Sequence, residues 1–419
     1  MKKLAIVSMD AMIFEDLEYA ATFPAYRELM EKGALVRRVR SIYPSLTYPC
    51  HVAMISGCYP DRSGVWNNYK QAPGVRPTPW NFYHDVVRCE DLMDAAHRAG
   101  YTTASVSWPV SGNHKSVDWL LDEIWAYTDD VEDFRKAYLA SGTPEELYEE
   151  LVAPYVPLRM KREQPGTGWF STHVASGILR KYKPDVLAVH LAPIDTLRHE
   201  GGVYGESARQ GVAYSAEMLQ ELIDAVKETG FYDETDFIVT SDHGQIDVDR
   251  AVSPNLLLRD AGYISLREDG SPADWKAWCF SAGASAQIRV KDPCDLDAVR
   301  ALFASRLGSD CGYSAVLDRA ELERTEHLSG DFDLVLETDG RSSFSESVSG
   351  DYFTPKTGGV HGHHPDRGPS PFLIASGPDF RQGAVLAEAA LADPPVTYAA
   401  VLGLSLPQAQ GRVLTELLK

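Results

Sequence analysis

The stretch "LAIVSMD" (residues 4–10) is a short apolar run that ends at an aspartate. A run of this length and aliphatic content is typical of a strand that is buried on both faces of a parallel sheet. Four later stretches have the same character: "TTASVSW" (102–108), "DVLAVHLAP" (185–193), "DFIVTSDHG" (236–244) and "PFLIASGP" (371–378). One buried-strand pattern therefore recurs along most of the chain.

Helix-like patterns lie between these predicted strands. The clearest are "EDLMDAAHRAG" (90–100) and "SARQGVAYSAEMLQELIDAVKETG" (207–230), and each ends at a glycine, which is a common helix stop. The alternation of strand and helix predicts an α/β fold with a doubly wound, mostly parallel sheet flanked by helices.

Two regions interrupt this alternation. Residues 110–170 are acidic and rich in tryptophan and tyrosine, which predicts a helical, aromatic-rich insertion. Residues 271–350 predict a small α+β insertion or cap, because strand-like and helix-like stretches follow each other there: "ASAQIRV" (284–290), "DLDAVRALFASRLG" (295–308) and "FDLVLETDG" (332–340). The main α/β domain is then formed by residues 1–270 and 351–419.

The composition excludes several classes of protein. A formal net charge of −20 over 419 residues disfavours a nucleic acid polymer as partner, since such binding needs a basic face. No apolar run reaches the roughly 18 residues that span a bilayer, which predicts no membrane partner. The apolar run after the first two lysines is too short for a signal peptide, so we expect a cytoplasmic protein. The six cysteines lack Cys-x-x-Cys spacing, which predicts reduced thiols.

Residues that can bind metals fall where the predicted strands end. They are Asp10, Asp195, His199, Asp242, His243 and, in the loop "GGVHGHHP" (358–365) before the last strand, His361. Since loops at the carboxyl ends of strands build the sites of open α/β sheets, these side chains should converge. Mixed carboxylate and imidazole ligands favour two divalent ions, zinc or manganese, over calcium or magnesium. Two such ions can clamp the attacking and leaving oxygens of a displacement at phosphorus.

Each of these pieces is weak when taken alone. A single Asp–His pair in a loop is more often a hydrogen-bonded surface pair, and "SDHG" or "HGHH" alone predicts only a turn or a solvated loop. The metal-site interpretation depends on all four pieces following predicted strands in one chain.

Thr47 lies where an extended segment turns into an apolar helical run, "HVAMISG" (51–57). It could simply cap that helix. A helix N-terminus also offers free N–H groups and a positive dipole end, which favour an anion such as phosphate. Beside a metal cluster, the Thr47 hydroxyl could bind a metal, lose its proton and attack phosphorus.

The stretch "TYPCHVAMISGCYPDRSGVWNN" (47–68) resembles the nucleophile motif of the nucleotide pyrophosphatase/phosphodiesterase branch of the alkaline phosphatase superfamily. That pattern has a threonine, an aromatic residue, a proline and a histidine before an apolar helix, and later a Tyr-Pro pair, a glycine and an asparagine. "SWPVSG" (107–112), the Asp-x-x-x-His spacing, "SDHG" and the late His-Gly recur in family order. The resemblance implies an alkaline phosphatase-like fold.

The resemblance also implies a role for each residue. One metal would be bound by Asp195, His199 and His361. The other would be bound by Asp10, Asp242, His243 and Thr47. Thr47 would attack phosphorus to give a phospho-threonine that water then releases, and Asn68 would donate a hydrogen bond to a phosphoryl oxygen.

This chain departs from the family pattern at three positions. Arg198 replaces a glycine before the metal histidine, which would add a cation near the substrate or point outward. Gln245 replaces a methionine after "SDHG". In relatives that stack a nucleobase between two aromatic rings, Tyr48 fits the first ring, whereas His190 stands at the second position and weakens the case for a nucleotide substrate.

These observations predict a two-metal phosphodiesterase or nucleotide pyrophosphatase-like hydrolase acting on a small phosphate ester or phosphoanhydride. A phosphonate or phosphomonoester hydrolase of the same superfamily is an alternative, because it shares the metal site. A catalytically silent metal-binding relative is a further alternative. The sequence leaves open the oligomeric state and the natural substrate.

Overall fold

The computed structural model describes residues 1–75, 77–124, 130–161 and 163–419. Its strands are β1 (Lys3–Met9), β2 (Ala34–Arg40), β3 (Thr103–Val106), β4 (Trp119–Leu121), β5 (Val186–Leu191), β6 (Thr235–Thr240), β7 (Ile246–Val252), β8 (Ile264–Leu266), β9 (Pro272–Trp275), β10 (Ala277–Ala282), β11 (Ser285–Val290), β12 (Tyr313–Asp318), β13 (Leu334–Thr338), β14 (Ser342–Phe344), β15 (Phe353–Val360), β16 (Leu373–Ser376) and β17 (Val385–Ala390).

The helices are α1 (Leu17–Ala20), α2 (Pro24–Lys32), α3 (Thr47–Ser56), α4 (Pro60–Ser63), α5 (Leu92–Arg98), α6 (Val131–Ala140), α7 (Glu145–Leu147), α8 (Val156–Met160), α9 (Gly166–Tyr182), α10 (Pro193–Gly201), α11 (Glu206–Thr229), α12 (Pro254–Asp260), α13 (Leu296–Ala304), α14 (Arg319–Glu326) and α15 (Asp393–Val401). Among the described residues, no helix has the length and apolar character to cross a membrane.

The main sheet has eight strands in the order β17-β2-β16-β6-β1-β5-β3-β4. All neighbouring pairs are parallel except those of β16, which runs antiparallel to both β6 and β2. The predicted fold class, an α/β fold with a mostly parallel sheet flanked by helices, is confirmed. All five predicted strands lie in this sheet.

Helices cover both faces of the sheet, which explains the unbroken apolar runs. Alternate residues of β1 enter two different cores: Ala5 and Val7 pack with α9 and α11 on one face, and Leu4 and Ile6 pack with α3, α5 and α15 on the other. Because successive side chains of a strand point to opposite faces, both sets must be apolar. The 24-residue α11 ends at Gly230, whose φ of 83° is the left-handed conformation that glycine adopts readily.

A separate core supports the smaller unit. The antiparallel sheet β10-β11-β13-β12 packs with α12 and α13 around residues from Val252 to Phe353. This core starts before residue 271, because β7 and α12 contribute to it. The domain bounds given by the sequence, residues 271–350 for this unit and 110–170 for the helical insertion, stay predictions. Residues 130–161 contain α6, α7 and α8, which pack on the main core.

Candidate active site

Three neighbouring strands end at the sheet edge where the candidate site lies. β1 lies between β6 and β5 and is parallel to both, with Met9 opposite Leu191. The chain therefore leaves the three strands at one edge, and the segments that follow carry Asp10, Asp195 and Asp242.

The fourth segment of the site is the loop before β16, which begins at His361. β16 runs in the opposite direction, and its first residue, Leu373, pairs with Thr240 at the end of β6. The loop that precedes β16 therefore reaches the same edge. His361 begins this loop, directly after Val360, the last residue of β15.

Asp10, Asp242 and His243 form the first ligand group, in which one potential ligand atom from each residue lies within 4.8 Å of the others. The Nε2 atom of His243 is 3.1 Å from Oδ2 of Asp242 and 3.5 Å from Oδ1 of Asp10. Both of these carboxylate oxygens are buried without a hydrogen-bond partner. Buried oxygens without donors are costly unless a cation binds them, so the donor set fits a divalent metal.

The electrostatics of the first ligand group also favour a bound cation. Burial and the nearby charge of Asp195 raise the pKa of Asp10 to about 7. Burial and the charge of Asp10 raise the pKa of Asp242 well above its usual value. The two carboxylates thus repel each other in a buried space, and a bound cation would relieve that repulsion.

Asp195, His199 and His361 form the second ligand group. Asp195 and His199 lie one turn apart on α10, with Nε2 of His199 3.3 Å from Oδ1 of Asp195. The Nδ1 atoms of both histidines contact backbone carbonyls, that of Gly359 at 2.7 Å from His199 and that of Ser45 at 3.2 Å from His361. A carbonyl only accepts, so each Nδ1 carries the proton and each Nε2 keeps the lone pair that a metal needs.

The two ligand groups adjoin each other. The rings of His243 and His361 stack with centroids 4.1 Å apart. Burial lowers the pKa of His361 to about 4, so its ring is neutral near pH 7 and able to coordinate. Burial raises the pKa of Asp195, but the positive charge that His199 carries when protonated outweighs this and lowers the pKa overall. His363 and His364 lie outside both groups.

Thr47 contacts His243, the residue of the first ligand group that stacks on His361 of the second. It is the first residue of α3, is 8% exposed, and places its Oγ1 atom 3.1 Å from Nε2 of His243. It is not the helix cap, because Leu46 occupies that position. The ring of His51 donates through Nδ1 to the Thr47 carbonyl at 2.8 Å and so fixes the first turn of the helix.

The first turn of α3 offers fewer donors for an anion than the sequence suggests. Pro49 has no N–H group, and the Cys50 N–H donates to the carbonyl of Leu46 at 3.0 Å. The Tyr48 N–H donates to Oδ1 of Asn68 at 2.9 Å. The backbone N–H groups of Tyr48 and Cys50 are therefore already engaged and do not face an anion.

The same hydrogen bond fixes the orientation of Asn68. A backbone N–H requires an acceptor, so the atom facing Tyr48 must be the amide oxygen. The Asn68 amide nitrogen then points the other way, with two protons to donate. Asn68 is 5% exposed.

Tyr48 packs inside an aromatic cluster. Its ring lies 5.2 Å from Trp80 and 6.5 Å from Phe82, measured between centroids. At 1% exposure it leaves no open face for a nucleobase, so the stacking role that the resemblance implies for Tyr48 does not fit its position. Tyr69, the residue after Asn68, packs on Trp80 at 4.4 Å. Trp80, Phe82 and Tyr69 are half-buried and were missed from the sequence, although the stretch "WNNYK" (66–70) signals aromatic residues beside Asn68.

The substrate-binding role implied for His190 does not fit its position. The side chain is 2% exposed, so it has no ring face to stack on a substrate. Its Nε2 atom donates to Oδ2 of Asp10 at 3.0 Å, and its Nδ1 atom lies 3.1 Å from the Ser107 carbonyl and 3.3 Å from Glu123. His190 therefore orients the carboxylate of Asp10, a candidate metal ligand.

The other two departures from the family pattern, Gln245 and Arg198, also bind protein groups around the candidate metal ligands. Nε2 of Gln245 donates to Oδ1 of Asp195 at 2.5 Å. Arg198 is fully buried and binds Asp16, so it neither points outward nor faces a substrate, and both expectations for it are wrong.

A further cluster of His84, Asp91, Asp94 and His114 has metal-like spacing. The Ser116 N–H donates to Nδ1 of His114 at 3.1 Å, so Nε2 of a neutral His114 carries the proton and donates to Asp91 at 2.9 Å. That nitrogen has no lone pair for a metal. The cluster is better explained as hydrogen bonding around the N-terminal cap of α5, which Asp91 provides.

Comparison with known proteins identifies the family of this chain. Residues 4–364 match the family model of type I phosphodiesterase / nucleotide pyrophosphatase, and the chain belongs to this family. The resemblance drawn from the motifs is thereby confirmed.

The curated relatives are distant and longer. The chain is 21% identical over 257 residues to human ectonucleotide pyrophosphatase/phosphodiesterase family member 5, covering 58% of this chain and 45% of that protein. It is 24% identical over 276 residues to the bovine bis(5'-adenosyl)-triphosphatase ENPP4, covering 63% of this chain and 52% of that protein. The chain thus spans about half the length of these relatives.

Solved structures share the fold. Murine ectonucleotide pyrophosphatase / phosphodiesterase 5, inactive and in complex with AMP, has a TM-score of 0.69 at 17% identity, with 100% of both chains covered. The human counterpart has a TM-score of 0.69 at 18% identity, again with 100% of both chains covered.

Proposed function

We propose that this chain is a two-metal phosphodiesterase that uses Thr47 as its nucleophile. The observation that carries the proposal is the position of the Thr47 hydroxyl, 3.1 Å from His243 of the first ligand group, whose ring stacks on His361 of the second.

Thr47 attacks phosphorus through Oγ1 and displaces the alcohol or phosphate leaving group. The product is a phospho-threonine, and water then cleaves its P–Oγ1 bond and restores Thr47. Asn68 donates from its amide nitrogen to a non-bridging phosphoryl oxygen, because its amide oxygen is held by Tyr48.

The residues present fit two divalent ions, zinc most naturally and manganese as an alternative. Asp195, His199 and His361 would hold one ion, and Asp10, Asp242 and His243 the other, with Thr47 beside it. When bound, the ions supply positive charge that lowers the pKa of the Thr47 hydroxyl and stabilises negative phosphoryl oxygens.

The substrate is a small phosphate diester or phosphoanhydride. The half-buried rings of Trp80 and Tyr69 next to Asn68 offer an aromatic surface to one substituent of the phosphate. The structure of murine member 5 in complex with AMP supports a nucleotide substituent. The cytoplasmic location stays a proposal from the sequence.

Specificity constants on metal-loaded protein test the proposal. Bis(p-nitrophenyl) phosphate, p-nitrophenyl phosphate and a p-nitrophenyl phosphonate ester are compared for wild type, Thr47→Ala and Thr47→Ser. We expect preference for the diester, loss of turnover in Thr47→Ala, and partial retention in Thr47→Ser, which keeps a hydroxyl.

Other results would favour the alternatives. Preference for the monoester or the phosphonate ester would identify the other hydrolases of the superfamily. Absence of turnover in protein shown to contain two ions would identify a silent metal-binding relative.

A further inference from the structure

Arg198 is a fully buried arginine on α10. Its guanidinium binds three residues in two segments: Ala11 and Asp16 after β1, and Val203 after α10. It donates through NH2 to both carboxylate oxygens of Asp16 at 2.8 and 2.9 Å, through Nε to the Val203 carbonyl at 3.0 Å, and through NH1 to the Ala11 carbonyl. The rigid donor fork of arginine suits such simultaneous binding, which lysine could not reproduce.

Ala11 connects this fork to the first ligand group. It directly follows Asp10, and its N–H donates to Oδ1 of Asp242 at 3.1 Å. Its φ of 58° lies in the left-handed region, which an alanine adopts only when its surroundings hold it there. Ala11 thus binds a metal ligand with its N–H and Arg198 with its carbonyl.

Arg198 itself belongs to the second ligand group's helix. It lies on α10 between Asp195 and His199, and its guanidinium contacts Ala11 and Asp16 in the segment after β1. Asp16, its partner, also accepts the N–H of Ile13 at 2.9 Å, so the pair secures the whole segment after β1. Arg198 therefore connects α10, which carries Asp195 and His199 of the second ligand group, to the segment after β1, which begins with Asp10 of the first group.

We infer that Arg198 is a positioning residue that couples the two metal half-sites. The inference rests on the proposed two-metal function and goes beyond it, because it assigns the relative placement of the two ions to a residue that contacts neither ion nor substrate. Loosening Arg198 frees Ala11 and with it the orientation of Asp10 and Asp242 relative to α10.

The test measures metal binding directly. Metal-free protein is prepared with a chelator and titrated with zinc by calorimetry, and cobalt-loaded protein is compared by its visible absorption spectrum. The variants are Arg198→Met, which keeps the volume but removes every donor, Arg198→Lys, which keeps one charged donor, and Asp16→Asn, which weakens the anchor while leaving Arg198 in place.

Lys3→Met is the matched control. Lys3 forms a part-buried ion pair with Asp185 at 3.1 Å, at the opposite edge of the same sheet. Its loss should lower thermal stability without reaching the site. All proteins are titrated at a temperature where circular dichroism shows each of them folded.

We expect wild type to bind two ions, and Arg198→Met to lose about 10- to 100-fold in affinity for at least one of them, as removal of a supporting partner typically does. Arg198→Lys and Asp16→Asn should lose less, and the cobalt spectrum should change in Arg198→Met but not in Lys3→Met.

Wild-type affinities in Arg198→Met, or an equal loss in Lys3→Met, would overturn the inference. Failure of wild type to bind two ions would instead overturn the proposed function, so the two failures are distinguishable.

Discussion

The side-chain oxygen of Asn68 accepts the backbone N–H of Tyr48, the residue next to the proposed nucleophile Thr47, at 2.9 Å. One hydrogen bond thus sets the distance between Thr47 and the Asn68 amide nitrogen. The proposed donor to the phosphoryl oxygen and the proposed attacking atom are therefore held together.

Replacing Asn68 by alanine removes both the oxygen that accepts the Tyr48 N–H and the amide nitrogen proposed to donate to the phosphoryl oxygen. We expect Asn68→Ala to lower kcat about 10²- to 10³-fold, in the range found when a single oxyanion donor is removed. Zinc content should stay at the wild-type value, because Asn68 is in neither ligand group. Steady-state kinetics with bis(p-nitrophenyl) phosphate and metal analysis check this, and an unchanged kcat would remove Asn68 from the mechanism.

Gln287, in the smaller unit, binds the two residues that precede Asn68. Its amide oxygen accepts from the Asn67 side chain at 3.0 Å, and its amide nitrogen donates to the Trp66 carbonyl at 3.0 Å. We expect Gln287→Ala to lower kcat about tenfold with metal affinity unchanged, since misplacement of a positioned group costs rate. Ile288→Val is the control, because Ile288 lies in the core on the other face of β11. Equal losses in both variants would indicate a general packing effect.

His190 supports Asp10 through the 3.0 Å hydrogen bond to Oδ2. We expect His190→Leu to weaken metal binding about 10- to 100-fold, because outer partners orient metal ligands. His190→Gln, whose amide nitrogen can take the place of Nε2, should keep most of the affinity. Zinc titration decides the outcome. If His190→Leu changed only KM for substrates with aromatic substituents, the stacking role would be restored.

Asp236 makes stability depend on pH at the edge of the sheet opposite the site. Burial is the largest cause that raises the pKa of Asp236 to about 7, and neighbouring Asp379 adds to it. An unfolded aspartate keeps its proton only below about pH 4. Between these values the folded state holds the extra proton, so this contribution to stability is present at low pH and is lost as the pH rises through about 7.

Asp236→Asn mimics the protonated form and tests this directly. Its amide oxygen can still accept the Asp379 N–H, which now binds Oδ1 of Asp236 at 3.2 Å. We expect the variant to exceed wild type by about 1–2 kcal/mol at pH 8, with a smaller difference at pH 5. Chemical denaturation at both values measures it, and a difference independent of pH would contradict the pKa assignment.

The strands that carry the site could be predicted because their signals are local. Buried strands such as β1 and β6 are apolar on both faces, and Asp10 and Asp242 follow them directly, so the topology of parallel sheets brings them together. β2, whose burial alternates in "ALVRRVR", and β17, which is largely exposed, lack that continuous run and were missed. The antiparallel direction of β16 also has no local signal.

The residues that hold the site residues in place could not be predicted, because their contacts join positions far apart in the sequence. Gln287 reaches Asn67 across 220 positions of sequence, and Arg198 reaches Asp16 across 182. The sequence identifies Arg198 and His190 as unusual, but the direction in which each side chain points depends on the packing of α10 and β5. The placement of Asn68 against Tyr48 likewise depends on the folded loop between them.

The most direct test of the central claim is to trap the covalent intermediate. Zinc-loaded protein is mixed with bis(p-nitrophenyl) phosphate, quenched in acid within one turnover, digested and analysed by mass spectrometry. We predict a p-nitrophenyl phosphoryl group on Thr47 in wild type and none in Thr47→Ala. Modification of a different residue, or full turnover by Thr47→Ala, would contradict the assignment of Thr47 as the nucleophile.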